Sequence, residues 1–296
     1  MLIPNKSLDK PTESNLDEKT VAGFGQEWSS FDQSKLQSEN LRALFEKYFA
    51  IFPWTQIDSQ KAVGADFGCG SGRWAKFVLP KVAHLHLIDA SPAALSVAKR
   101  MLENSTTRSK ISFHLGSVET AKIADASLDF AFSLGVLHHL PNTQKAIEDI
   151  ALKLKPGAPF LIYLYYSFDN RPKWYRLLWR LSEIGRKIIS SMPYPLRLAA
   201  SQLVAFTVYW PLARFAHLLD LVDVMPSSFP LSFYRNQPFY VMRNDALDRF
   251  GTRLEKRFSR QEIRSMLERA GFEKTQFSNQ APYWCAVAIK GNSACQ

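Results

Sequence analysis

Five short apolar runs between residues 62 and 166 alternate with amphipathic stretches, and this rhythm limits the folds open to the chain more than any other feature. The runs are AVGADF (62–67), HLHLID (84–89), ISFHL (111–115), LDFAFSL (128–134) and PFLIYLYY (159–166). Strands spaced by helices predict βαβ units and a parallel sheet. Helices are expected after Gly72, Ser91 and Pro141. Ser91-Pro92 offers an N-cap and a proline at the first helical position, and Lys155-Pro156-Gly157 is a helix stop before the fifth run. After Tyr166 the alternation breaks for about ninety residues. It resumes at Ser259-Arg260-Gln261-Glu262, a capping box, and two further strands follow, 272–278 and 282–290, close enough to form an antiparallel pair at one end of the sheet.

Ahead of this pattern, residues 1 to about 20 are polar and aperiodic and are expected to be a mobile tail. Helical spacing appears from Phe24 to Phe52, with Leu36, Leu41, Leu44, Phe45, Tyr48 and Phe49 mostly on one face. The opening MLIPNKSLDKPTESN has no apolar run, so no signal peptide is expected. Three cysteines, Cys69, Cys285 and Cys295, make neither a disulfide framework nor a cysteine-rich zinc site. A reducing, cytoplasmic address follows from these two features.

Chemistry concentrates at Asp66-Phe67-Gly68-Cys69-Gly70-Ser71-Gly72, where the first strand ends and a helix begins. Alternate glycines let the backbone turn sharply and approach a ligand, and a helix N-terminus adds unpaired N–H groups. The loop is read as a cofactor cradle. A dinucleotide fingerprint wants its third glycine where this chain has Arg73, and Asp66 suits a cationic ligand better than a pyrophosphate. Asp89, at the end of the second strand, is placed to accept hydrogen bonds from both ribose hydroxyls of either cofactor type.

These residues, with Asp89-Ala90-Ser91, Ser133-Leu134-Gly135-Val136-Leu137-His138-His139-Leu140 and Leu154-Lys155-Pro156-Gly157, resemble the class I S-adenosylmethionine-dependent methyltransferases. The likeness is greatest to the small-molecule branch that includes the ubiquinone/menaquinone methyltransferases. It covers about Phe24 to Asp149 and the last forty residues. The resemblance implies an α/β, Rossmann-like seven-stranded sheet with an antiparallel last strand and a helical cap inserted after strand 5. It also implies S-adenosylmethionine as cofactor, held by Asp66, Gly68, Cys69, Gly70, Gly72, Asp89, Ala90, Ser117, Val118 and Leu134. Gly116-Ser117-Val118-Glu119 would cover the adenine, with Ser117 where relatives often have aspartate, and Trp28 in the lead-in would cover the site.

His138 and His139 follow the fourth strand at the carboxyl edge of the sheet, where a base for a protonated acceptor would stand. Two adjacent histidines do not make a metal site, and none is expected. There is no Pro-Pro pair, so the loop of amino-methylating DNA enzymes is missing, and Leu134 to Asn142 has no glutamate, so the paired-carboxylate loop of arginine methyltransferases is missing too.

Of the formal charge of +10, a net +7 lies between Arg171 and Arg214. Trp174, Leu177, Leu178, Leu181, Ile184 and Ile188 follow helical spacing, with Lys173, Arg176, Arg180, Arg186 and Lys187 opposite. Leu198 to Ala213 is apolar but too short to span a bilayer, and it contains Pro211. Two readings stand: a lid packed on the sheet with its arginines in water, or a surface through residues 172–215 that makes peripheral contact with the inner face of a membrane. Acceptor contacts are expected from Tyr165, Tyr166, Tyr234, Arg235, Tyr240 and Arg243.

The expected organisation is a tail (1–20), a helical lid element (21–60), a core (61–166 and 259–296) and a substrate cap (167–258). The expected activity is methyl transfer to a small, partly apolar O-, N- or C-acceptor. A dinucleotide-dependent oxidoreductase and an RNA methyltransferase using the basic cap are the alternatives, and DNA is not an expected partner.

Overall fold

The computed structural model describes residues 15–30, 38–102, 110–226 and 228–292, and of residues 27–30 and 38 the backbone only. Seven strands form one sheet: β1 (Val63–Phe67), β2 (His84–Asp89), β3 (Ile111–Leu115), β4 (Phe130–Leu134), β5 (Pro159–Tyr163), β6 (Phe272–Phe277) and β7 (Ala286–Lys290). Their order is β3-β2-β1-β4-β5-β7-β6. β1 to β5 are parallel, and β7 enters antiparallel between β5 and β6.

Side-chain alternation divides the core between the two faces of the sheet. Phe130, Phe132 and Leu134 of β4 join Phe45, Phe49, Phe52, Trp74 and Leu85 on one face. Ala65, Phe67, Phe160 and Ile162 meet Ile147, Ile150, Ile263 and Leu267 on the other. The helices that cover it are α1 (Glu18–Ser30), α2 (Ser38–Tyr48), α3 (Ala75–Val78), α4 (Pro92–Leu102), α5 (Thr143–Lys153) and, late in the chain, α10 (Arg260–Arg269). The Ser91 hydroxyl caps α4 by accepting from the Ala94 N–H, and both halves of the Ser259/Glu262 capping box are made at α10.

Several boundaries differ from expectation, among them β5, which ends at Tyr163 rather than Tyr166. The helix after Gly72 is four residues long and passes into a 3-10 turn at Leu79–Lys81, because Pro80 has no N–H with which to continue an α-helix. β7 starts at Ala286, after a turn in which the Cys285 N–H reaches the Pro282 carbonyl. At the other end, α1 begins at Glu18, inside the stretch read as a tail, where the Asp17 carboxylate accepts from the Thr20 N–H.

Between β5 and α10 lie α6 (Lys173–Ser191), α7 (Tyr194–Val204), a π-helical turn (Ala205–Tyr209), α8 (Trp210–Leu221) and α9 (Phe239–Gly251). The π turn lets the helix run on through Pro211, whose ring would clash with the carbonyl of a regular preceding turn. α6, α7 and the π turn all pack on α9. α6 sits opposite to the lid expectation. Its apolar stripe faces out, and its inward face is an ionic seam in which buried Arg186 donates to the Thr252 carbonyl (2.6 Å) and to Glu183 (2.6 Å). Arg249 joins Glu183 (3.0 Å) to Glu255 (2.9 Å).

Gly64 tests the tightness of the central strands, since a Cβ there would lie 2.0 Å from the Phe130 ring. Gly64→Ala is expected to cost about 1–3 kcal/mol, read as a lower urea midpoint with the slope unchanged.

Candidate functional site

The loops at the carboxyl edge are registered on the last two residues of β2. The Ile88 carbonyl accepts from both the Gly68 and Cys69 N–H groups, at 2.8 and 2.9 Å. The Asp89 carboxylate accepts from the Gly70 and Ser91 N–H groups, both at 2.8 Å, and its backbone carbonyl accepts from Gly116 (3.0 Å). Burial pushes the Asp89 carboxyl up, and the two N–H groups pull it back toward ionisation. Gly68 has φ +84°, and a Cβ on it would lie 2.4 Å from Val136, so glycine is required on both counts.

These loops floor a cleft of about 940 Å³, its open mouth included. Gly68, Cys69, Gly70, Asp89, Ala90, Ser117, Val118 and Leu134 line it, together with Arg73, Trp74, Gly135, Val136 and His139. Asp66 and Gly72 stand behind this lining. Asp66 is buried at 1% exposure with Oδ2 unpartnered, and burial and nearby Asp89 hold its carboxyl well above the usual range. Ser117 contributes its position but not its hydroxyl, which is engaged with Thr120 Oγ1 (3.1 Å) inside the loop's own turn.

The roof comes from Leu16, Asp17, Thr20, Val21 and Phe24. Three of these five, Leu16, Asp17 and Thr20, lie in residues expected to be a tail. Asn15 straps it down, accepting from the Asn142 N–H (2.7 Å), donating to the Asn142 carbonyl (2.8 Å) and donating its own N–H to Glu119 (3.1 Å). The sequence signal missed here is Asp17-Glu18, an acid pair at a helix start. Trp28 lies in α1, but its side chain is outside the described residues; Phe24 of α1 lines the cleft.

The two histidines separate in role. His138 is fully buried, stacked 3.9 Å from both His139 and Tyr165, and does not line the cleft. Burial holds its imidazole well below the ordinary range, so it is a neutral packing group. His139 lines the cleft with Phe24 edge-on at 4.8 Å. Its Nδ1 lies 2.7 Å from the Leu254 carbonyl, which can only accept, so Nδ1 carries a hydrogen, and Nε2 is buried with no partner among the described residues.

Behind His139 the cap brings up two carboxylates on one face of α9, Asp245 and Asp248, neither of which the sequence reading selected. The Tyr165 hydroxyl donates to Asp248, and Tyr234 donates to Asp245 (2.8 Å). Burial raises Asp248, opposed most by His139, and raises Asp245 to about 6. Tyr165 is therefore the one expected acceptor contact that touches the histidines. Tyr166 packs on Phe168 and Tyr283, Arg235 pairs with Asp220 (2.9 Å), and Arg243 donates to Gln202. Like Tyr165 and Tyr166 at the end of the fifth run, Arg235, Arg243, Tyr234 and Tyr240, the last in the first turn of α9, lie outside the lining of this cleft.

The family model described as a methyltransferase domain matches residues 65–162, about a third of the chain. Phosphoethanolamine N-methyltransferase 2 of Caenorhabditis elegans is 32% identical over 101 residues, which are 34% of this chain and 23% of that protein. A ubiquinone biosynthesis O-methyltransferase of Coxiella burnetii is 24% identical over 164 residues, 54% of this chain and 66% of the relative. The chain thus spans less than two thirds of the length of the relatives it matches. A SAM-dependent methyltransferase structure from Thermotoga maritima aligns with a TM-score of 0.51 at 12% identity, covering 92% of this chain and 99% of that one, which fixes the fold. Over residues 65–162 the chain is similar to methyltransferases, so S-adenosylmethionine is the group to set against this cleft. The residues fit the group: a glycine cradle that a side chain would fill, an orphaned acid oxygen on Asp66, and a carboxylate on Asp89 held for a diol.

Two outcomes are expected. Asp89→Ala weakens binding of S-adenosylmethionine and its demethylated product by about ten- to a hundredfold in calorimetry, since it removes an acceptor of two amides as well as a ligand contact. For Asp245, protonated in the fold up to about pH 6 against an ordinary value near 3.8, the unfolded chain loses the proton first. The contribution of Asp245 to stability therefore falls as pH rises between those values and is level on either side. The difference in urea midpoint between Asp245→Asn and the parent is expected to move in the variant's favour across that window and nowhere else.

Proposed function

We propose that the chain methylates a small, partly apolar acceptor bound between the carboxyl edge of the sheet and α9. The observation that carries this is His139: a cleft residue whose Nδ1–H is engaged by the Leu254 carbonyl and whose Nε2 has no partner among the described residues. Bound S-adenosylmethionine supplies an electrophilic methyl group for in-line displacement. Asp66, Gly68, Gly70, Asp89 and the 116–118 loop would hold it, and Phe24 and Val21 would shut water out from above. Nε2 of His139 takes the acceptor's proton as the methyl bond forms, and Asp248 steadies the imidazolium that results. Tyr165, fixed between Asp248 and His138, positions the His139 ring, which it meets edge-on.

The finer reading is O-methylation of a phenolic, lipophilic acceptor, as in the ubiquinone/menaquinone branch. The likeness to the Coxiella O-methyltransferase supports it, as does a cap whose outward side chains are largely apolar. In this scheme residues 167–258 are the acceptor-selecting cap, residues 21–60 the lid, and residues 61–166 with 259–296 the catalytic core. The protein works in the cytoplasm, with its cap at the inner membrane surface. An RNA acceptor fits less well, because Arg186 and Arg197 of the basic segment are buried in the cap.

The test is transfer of labelled methyl from S-adenosylmethionine to a panel of prenylated catechols, phenols and amines. Transfer to phenolic oxygen is expected, and His139→Gln is expected to lower kcat by about a hundredfold or more with cofactor affinity kept. NADH binding in place of S-adenosylmethionine would discard the proposal, and a His139→Gln variant of full activity would discard the base.

A further inference from the structure

Among the described residues, sixteen of the twenty-one exposed large hydrophobic side chains lie between residues 174 and 224. On α6, Trp174, Leu177, Leu178, Leu181, Ile184 and Ile188 are each 49 to 61% exposed. At 100° per residue they form one outward stripe. Lys173, Arg180 and Lys187, seven residues apart, run as a row along its edge. The one acid of α6, Glu183, is turned inward to Arg186 and Arg249. That seam also fixes the helix in rotation: rolling α6 to bury its stripe would pull Arg186 off the Thr252 carbonyl and strand a buried charge.

The next helices repeat the arrangement. Ala205, Tyr209, Ala213 and Ala216 are buried, while Leu203, Phe206, Trp210, Phe215 and Leu218 are 44 to 62% exposed. Phe206 and Trp210 stack on each other at 6.2 Å on that outer side. α6 and α7 touch each other and share the platform of α9, and α7 runs through the π turn into α8, along which the exposed apolar residues continue. Isolated exposed apolar residues are ordinary, but a contiguous face on adjoining helices marks an interaction surface.

We propose that this outer face of the cap docks on an anionic lipid bilayer, lying in the headgroup region with the apolar stripe toward the acyl chains. Charge decides for lipid: the outward side of α6 carries apolar groups and cations and no acid, with Ser191 at its end, and the long basic side chains can keep their stems in the apolar layer while their charges reach phosphates. No helix among the described residues is long and apolar enough to cross a membrane, so the contact is parallel to the surface. The proposal goes beyond the methyl-transfer reading and does not depend on which acceptor is used.

The experiment is sedimentation of the full chain with vesicles of phosphatidylcholine alone or mixed with phosphatidylglycerol. Binding to the mixed vesicles is expected. Exchanging Lys173, Arg180 or Lys187 for Gln should weaken it about fivefold each, and added salt should weaken it further. The double variant Leu177→Asp, Leu181→Asp should remove vesicle binding while calorimetric binding of S-adenosylmethionine is kept, which shows that the variant is folded. Three results would overturn the proposal. They are a parent chain that stays in the supernatant, equal binding to both vesicle types, or a soluble dimer that buries this face, dissociates in the Asp variant and never sediments with lipid.

Discussion

One carboxylate accepts an amide hydrogen from each of two loops, and the shape of the cleft follows from it. Asp89 takes the N–H groups of Gly70 and Ser91, so the glycine loop after β1 and the start of α4 are held to the same side chain. Its own carbonyl adds the loop after β3 through Gly116. A carboxylate buried this far is costly unless it is hydrogen-bonded, and the two amides are what keep it useful as an ionised acceptor. The same bonds satisfy donors that a sharp glycine turn would otherwise leave unpaired. Cradle and charge therefore stand or fall together.

The parallel core was legible because its signals are local. Apolar runs of strand length, Ser91-Pro92, the Ser259/Glu262 box and Lys155-Pro156-Gly157 each act within a few residues, and the elements formed close to where they point. The cofactor loop was legible for a similar reason, since glycines at 68, 70 and 72 all have positive φ in a turn that few other residues could make. The roof was not. Leu16 and Thr20 belong to a polar stretch without periodicity, and they are placed by long-range bonds from Asn15 to Asn142 and Glu119. The acid pair of α9 escaped notice as well, because Asp245 and Asp248 meet Tyr234 and Tyr165 only through the tertiary fold.

α6 shows what periodicity leaves open. A helical wheel finds an apolar side and a basic side but does not say which of them faces the protein. In this chain the inward side is chosen by Arg186, Glu183 and Arg249, with Arg257 over the rings of Tyr165, Phe168 and Trp179. Such a seam gains less from burial than a leucine stripe would. In exchange it fixes orientation, since each guanidinium has partners in one rotation of the helix only.

The lid and the cap are joined through Gln26, whose side chain accepts from Arg197 (3.2 Å) and whose carbonyl accepts from the Tyr194 hydroxyl (3.2 Å). At its other end the same lid is knotted to the loops after β3 and β4 by Asn15. A helix clamped at both ends cannot rise off the cleft without loosening α7. Lifting α1 off the cleft therefore breaks contacts to α7 as well as to the loops after β3 and β4.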